Sequence, residues 1–128
     1  MFNSGPKPNF IVNISLLVHG NPVSTSAPSI ALHFAQEAVA QEHTLRRVFF
    51  YKDAVHVANR FSSISVDETD LQAEWTGFAS DSGTELVVCI AAGQRRGVIE
   101  ANIAESFSIV GLGQMVEAMA ESDRTLTF

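Results

Sequence analysis

The sequence predicts an α/β domain of three layers, a mainly parallel five-stranded sheet with helices on both faces. Strand-like and helix-like apolar runs alternate about five times along the chain, the pattern of strands joined by crossover helices. The run Leu86-Val-Val-Cys-Ile90, at the heart of 85–90, is apolar without alternation, as expected of a parallel strand covered on both faces. A length of 128 residues suits one domain. Such a domain buries roughly two-thirds of the surface its unfolded chain exposes, enough for a core without disulfides or metal staples. We expect a short flexible lead-in over residues 1–9 and a single domain over 10–128.

The elements follow in order. Residues 10–18 form an apolar run rich in β-branched side chains that ends at the breaker His19-Gly-Asn-Pro22, which reads as a strand. A hydroxyl-rich loop at 23–27 leads to Pro28, a residue suited to a first helical turn. The helix runs over about 28–42, with Ile30, Leu32, Phe34, Ala35, Ala38 and Val39 as its apolar face. Val48-Phe-Phe-Tyr51 is a short buried strand, and 54–59 can make a helical turn. After an irregular serine-rich stretch at 61–66, Asp67 can cap a helix whose Leu71, Trp75 and Phe78 share one face. Ser82-Gly83 ends it, and 85–90 is the third strand. Residues 91–97 form a loop or the start of a helix, and 97–106 are ambiguous. Residues 107–110 form a short strand ended by Gly111-Leu-Gly113. Residues 114–122 form a helix with Met115, Val116, Ala118 and Met119 inward, and 124–128 the last strand.

Composition removes several function classes. Fourteen acidic against eight basic side chains give a net charge of −6, unlike the basic face of a general nucleic-acid binder. Hydrophobic residues at 46% are too many for a disordered chain. No apolar run approaches the roughly 18–20 residues needed to span a bilayer. One cysteine, Cys89, allows no intrachain disulfide and fits a reducing cytoplasm.

In a parallel sheet, function collects at the carboxyl ends of the strands, which directs attention to the loops 20–27, 51–59 and 89–97. Cys89 stands at such an end, just before Ala91-Ala-Gly-Gln-Arg-Arg-Gly97. A thiol is a nucleophile only when ionised. A cation about 6 Å away at an effective dielectric near 20 favours the thiolate by roughly 2–3 kcal/mol, so Arg95 and Arg96 are candidate anion stabilisers. The competing reading is an inert core cysteine, since free cysteine behaves as a small hydrophobe. His19 and His56 fall on strand-end loops from which either could face Cys89, while His33 and His43 belong to a helix and its end. The four show no metal-ligand spacing, and no metal is expected. The loop at 20–27 precedes a helix and could hold an anion, but it lacks both nucleotide-binding glycine signatures, so hydroxyls that cap the helix are the simpler reading. Asp67, Glu68 and Asp70 suit the positive end of a helix.

Four segments, taken together, resemble the DsrE/TusD family of sulfur-relay subunits. They are Val48-Phe-Phe-Tyr-Lys-Asp-Ala-Val55 with Asn59, Val88-Cys-Ile-Ala-Ala-Gly-Gln-Arg-Arg-Gly-Val98, Gly111-Leu-Gly-Gln-Met-Val-Glu-Ala118, and Asp123-Arg-Thr-Leu-Thr-Phe128. The resemblance runs from about Phe10 to the last residue. It implies a sulfurtransferase with a DsrE-like fold that carries persulfide sulfur on Cys89, with no cofactor. It further implies homologous TusB/TusC-like (DsrF/DsrH-like) subunits in a heterohexamer, a TusA-like donor and a TusE/DsrC-like acceptor, with no direct contact to nucleic acid or membrane. The implied end use is 2-thiolation of the tRNA wobble uridine. The alternatives are a DsrE-type subunit in dissimilatory sulfur oxidation and a non-catalytic structural subunit. One departure concerns the site: residues 98–101 reach Asn102 directly, where the family carries a longer, partly helical stretch. If that stretch screens the thiol, Cys89 is expected to be more exposed here.

Overall fold

The structure is a computed structural model that describes residues 10–62 and 67–128. Its elements are β1 (Asn13–Val18), α1 (Ala27–Ala40), β2 (Thr44–Phe50), a 3-10 helix (Lys52–Ala58), α2 (Leu71–Ser82), β3 (Glu85–Cys89), α3 (Ile90–Arg95), β4 (Phe107–Val110), α4 (Leu112–Glu121) and β5 (Arg124–Thr127). The five strands form one sheet in the order β4-β3-β2-β1-β5, and every pairing is parallel. The lead-in expected over 1–9, and 63–66 of the serine-rich stretch, lie outside the described residues.

Strand order explains the layers. From β1 to β4 the chain steps across the sheet in one direction, and from β4 it returns to the opposite edge as β5. Right-handed crossovers require the returning helix to lie on the other face. The core divides accordingly. Leu16, Val18, Val48, Phe50, Leu86 and Val88 pack with α1, α2 and α3 on one face. Phe49 and Val87, their alternates along the strands, pack with Met115 and Ala118 of α4 on the other. The three-layer α/β architecture expected from sequence is therefore present.

Local chemistry sets the boundaries. Pro28 lies in the first turn of α1 and is buried. Asp70, and not Asp67, caps α2, its Oδ1 accepting from the Ala73 amide at 3.1 Å. Gly83 ends α2 at φ +77°, a left-handed value that favours glycine. Trp75 is fully buried, and Leu71, Trp75 and Phe78 pack in the main core as expected. Edge-on ring contacts tie α2 through Trp75 to Phe50 of β2, at 5.2 Å between ring centres, and Phe50 to Phe107 of β4 at 5.4 Å. This aromatic row runs beneath β3. Only Met115 and Ala118 of α4 are buried; Val116 is 57% exposed and Met119 37% exposed, against the expected inward face. One helix alone covers this face of the sheet, so only the narrow stripe of α4 above Phe49 and Val87 finds a surface to bury against. Ile30, expected on the apolar face of α1, is likewise exposed.

Candidate functional site

Cys89 is the last residue of β3 and the N-cap of α3. Its register partner across the ladder is Val110, the last residue of β4. The two neighbouring strands then part: β3 continues into α3 on one face, and β4 continues through Gly111 into α4 on the other. Adjacent connections leaving toward opposite faces define the topological switch point of an open parallel sheet, where a crevice forms outside the strand ends. The thiol stands at that point. Both helices begin next to its backbone: Cys89 caps α3 directly, and α4 starts two residues after its register partner Val110, while the thiol itself packs in the core on the α3 side. Sequence reading considered three strand-end loops and omitted the one at Gly111-Leu112-Gly113. Its signal was a glycine pair after the short strand Phe107-Ser-Ile-Val110, which read as a breaker and serves instead as the start of α4.

Burial corrects one expectation. The shortened stretch at 98–101 led us to expect a more exposed thiol, yet Cys89 is only 7% exposed and belongs to the main core cluster. The segment after the cysteine is a helix and not a loop, and Cys89 is clasped between the β4 ladder and the start of that helix. The thiol makes no hydrogen bond among the described residues.

The arginines lie at the other end of α3. Arg95 lies six positions after Cys89, about 9 Å along the helix. Arg96 is engaged elsewhere: its Nε donates to Asp53 Oδ1 at 2.7 Å and its Nη1 to the Ala92 carbonyl at 3.1 Å. That hydrogen bond from Arg96 holds the Asp53 carboxyl below its ordinary pKa. Arg95 is exposed and makes no ion pair among the described residues. Neither guanidinium bonds the sulfur.

No histidine bonds it either. His19 follows the end of β1, two strands from β3, about 10 Å at ordinary strand spacing. Its ring packs edge-on against Tyr51. His56 lies in the 3-10 helix, His33 is exposed on α1, and His43 accepts the Val12 amide on Nδ1. No group of three potential metal ligands occurs among the described residues. Within the 20–27 loop, Asn21 Oδ1 accepts the amides of Val23 and Ser24, and Thr25 Oγ1 accepts the Ala27 amide. The loop's polar groups thus fold it onto the start of α1.

Burial, and then the charge of Lys52, lower the pKa of His19 from 6.5. Folding therefore favours the neutral ring, and stability present above pH 6.5 is lost as pH falls through the lowered value. The melting temperature of the wild type is expected to drop more steeply on acidification below that pH than that of His19→Gln. Equal slopes would contradict this assignment.

Gly93, in the middle of α3, sits against residue 98. A Cβ there would run into the Val98 carbonyl oxygen, whose own amide donates to the Gly93 carbonyl at 2.8 Å. Backbone cannot yield as a side chain tip can. Gly93→Ala is expected to cost about 1–3 kcal/mol by overpacking and to move the start of α3. Denaturant unfolding measures the first, and the alkylation rate of Cys89 the second. A variant identical to wild type in both would show that α3 has room to spare.

A parallel sheet with one thiol at its switch point defines an open α/β domain with a single cysteine at the carboxyl end of an inner strand. The model of the DsrE/DsrF-like family matches residues 13–128, and the chain belongs to that family. It is 37% identical to Sulfurtransferase TusD of Enterobacter sp. (strain 638), over 91% of this chain and all of that protein. It is 39% identical to Sulfurtransferase TusD of Photorhabdus laumondii subsp. laumondii, over 88% of this chain and 95% of that one. This kinship makes the chain a sulfurtransferase and supports a role in sulfur relay. The crystal structure of the ychN protein from E. coli superposes with a TM-score of 0.80 at 20% identity, covering 91% of this chain and 98% of that one, and shows the shared fold. No helix among the described residues is long and apolar enough to cross a membrane.

Proposed function

We propose that the protein is a cytoplasmic relay subunit that carries persulfide sulfur on Cys89. The observation that carries this reading is the position of Cys89, at the switch point and between two helix starts, in a chain with sulfurtransferase relatives of nearly equal length. The thiolate of Cys89 attacks the outer sulfur of a donor persulfide. A new S–S bond forms, the donor's S–S bond breaks, and the donor leaves as a thiolate. Cys89 then holds the outer sulfur with its proton, and an acceptor thiolate repeats the exchange in the next step. The logic is that of thiol–disulfide exchange. In this reading the start of α3, which Cys89 caps, is the end of the helix that suits the negative charge of each intermediate.

The donor in this reading is a TusA-like carrier and the acceptor a TusE/DsrC-like protein. Homologous TusB/TusC-like subunits complete a heterohexamer, and the sulfur ends in the 2-thiolated wobble uridine of tRNA. A second reading, a structural subunit with an inert thiol, draws on the 7% exposure of Cys89. Cells lacking the endogenous relay subunit separate the two. Wild-type chain is expected to restore 2-thiouridine in tRNA, and Cys89→Ala to leave it absent. Restoration by Cys89→Ala would establish the structural role, and no restoration by wild type would exclude tRNA thiolation as the end use.

A further inference from the structure

We propose that Asp53 and Arg96 are positioning residues for Cys89: their ion pair fastens the far end of α3 to the 3-10 helix, and so fixes where the start of α3 holds the sulfur. This inference rests on the reading of Cys89 as the sulfur carrier.

A six-residue helix does not stand alone, because nucleation is costly and few internal bonds reward it. The placement of α3 must come from what grips its ends. At the start, Cys89 is held in the ladder with β4. At the finish, one guanidinium joins two elements. Arg96 donates from Nη1 to the carbonyl of Ala92 within α3, and from Nε to Asp53, 43 residues upstream. Asp53 lies in the first turn of the 3-10 helix and Arg96 caps the end of α3, so each charge also complements the dipole of its own helix. A second fastening lies just beyond. Asn102 donates from Nδ2 to the Gly97 carbonyl at 2.8 Å and accepts the Ile99 amide on Oδ1 at 2.8 Å. Its own carbonyl accepts the Arg60 amide at 2.9 Å. The turn after α3 is thereby tied to the end of the 3-10 helix.

The ion pair is poorly suited to be a stability device. Its side chains are 57% and 26% exposed, and pairs of that kind contribute little to global stability. Its effect is local: it decides whether α3 stays seated. With the clamp removed, the start of α3 opens more often. A small alkylating reagent then reaches Cys89 more easily, while a donor persulfide meets a sulfur no longer held in line.

The test uses the full chain, with Asp53→Ala and the exchanged pair Asp53→Arg with Arg96→Asp. Three quantities are read: alkylation of Cys89 by iodoacetamide, sulfur loading of Cys89 from a small-molecule persulfide, and the melting temperature. In Asp53→Ala, alkylation is expected to rise about fivefold and loading to fall about fivefold, with the midpoint moving by less than about 3 °C. The exchanged pair restores opposite charges but opposes both helix dipoles and lacks the bond from Arg96 to the Ala92 carbonyl, so it is expected to return both rates part of the way, to within about threefold of wild type. Wild-type rates in Asp53→Ala would overturn the proposal. So would a collapse of the midpoint that the exchanged pair does not repair, since that marks a general folding role. A wild-type protein that takes no sulfur on Cys89 would instead sink the carrier reading, and the alkylation rates would still judge the clamp.

Discussion

Cys89→Ser is expected to lower sulfur transfer by about a thousandfold or more, because a seryl oxygen can neither hold the transferred sulfur as a persulfide nor supply a thiolate. The fold should survive. A hydroxyl placed at a 7% exposed site whose thiol makes no hydrogen bond among the described residues costs about 1–3 kcal/mol. Cys89→Ala avoids that penalty and is expected to lose transfer equally. Agreement between the two variants assigns the loss to sulfur chemistry. Transfer surviving in either one would move the reacting group elsewhere, and no other cysteine exists in the chain to receive it.

The second large effect concerns the core between α2 and the sheet. Trp75 is fully buried, and its ring meets Phe50 at 5.2 Å and Phe78 at 5.9 Å, both nearly perpendicular. Phe50 continues the row to Phe107 on β4. Trp75→Ala removes the keystone between α2 and the strands that flank β3. It is expected to cost about 3–5 kcal/mol, from lost burial and the cavity left behind. For a domain of this size that lowers the melting temperature by about 10–20 °C. Calorimetry or circular dichroism reads it directly. A loss below about 1 kcal/mol would mean that the surrounding side chains collapse into the space, and that the row is no keystone.

These two residues also show what could be read from sequence. The spacing of Leu71, Trp75 and Phe78 marked a buried helical face, because burial on a helix leaves a period that survives in one dimension. Unbroken apolarity marked β3, and with it the strand end that carries Cys89. The alternation of elements gave the layers. The remainder depended on contacts distant in sequence. α3 contains a glycine and is six residues long, so its local signal is that of a loop; its partners, Val98 against Gly93 and Asp53 for Arg96, are not visible in the local pattern. Arg95 and Arg96 are close to Cys89 in numbering, but α3 sets their backbone at its far end, where Arg96 pairs with Asp53. Val116 and Met119 obeyed helical periodicity yet faced outward, since periodicity names an apolar stripe and not how much of it a single-helix layer can cover. The start of α4 was hidden because Gly111-Leu-Gly113 has the composition of a turn, and only strand order reveals that it lies beside Cys89.

That juxtaposition puts the whole chemical weight on one sulfur atom, and intact-protein mass measured after exposure to a persulfide donor weighs it most directly. The wild type should gain a single reducible sulfur atom, mapped to Cys89 by peptide digestion and absent from Cys89→Ala. A wild type that gains nothing, or a variant that gains as much, would contradict the role given to Cys89.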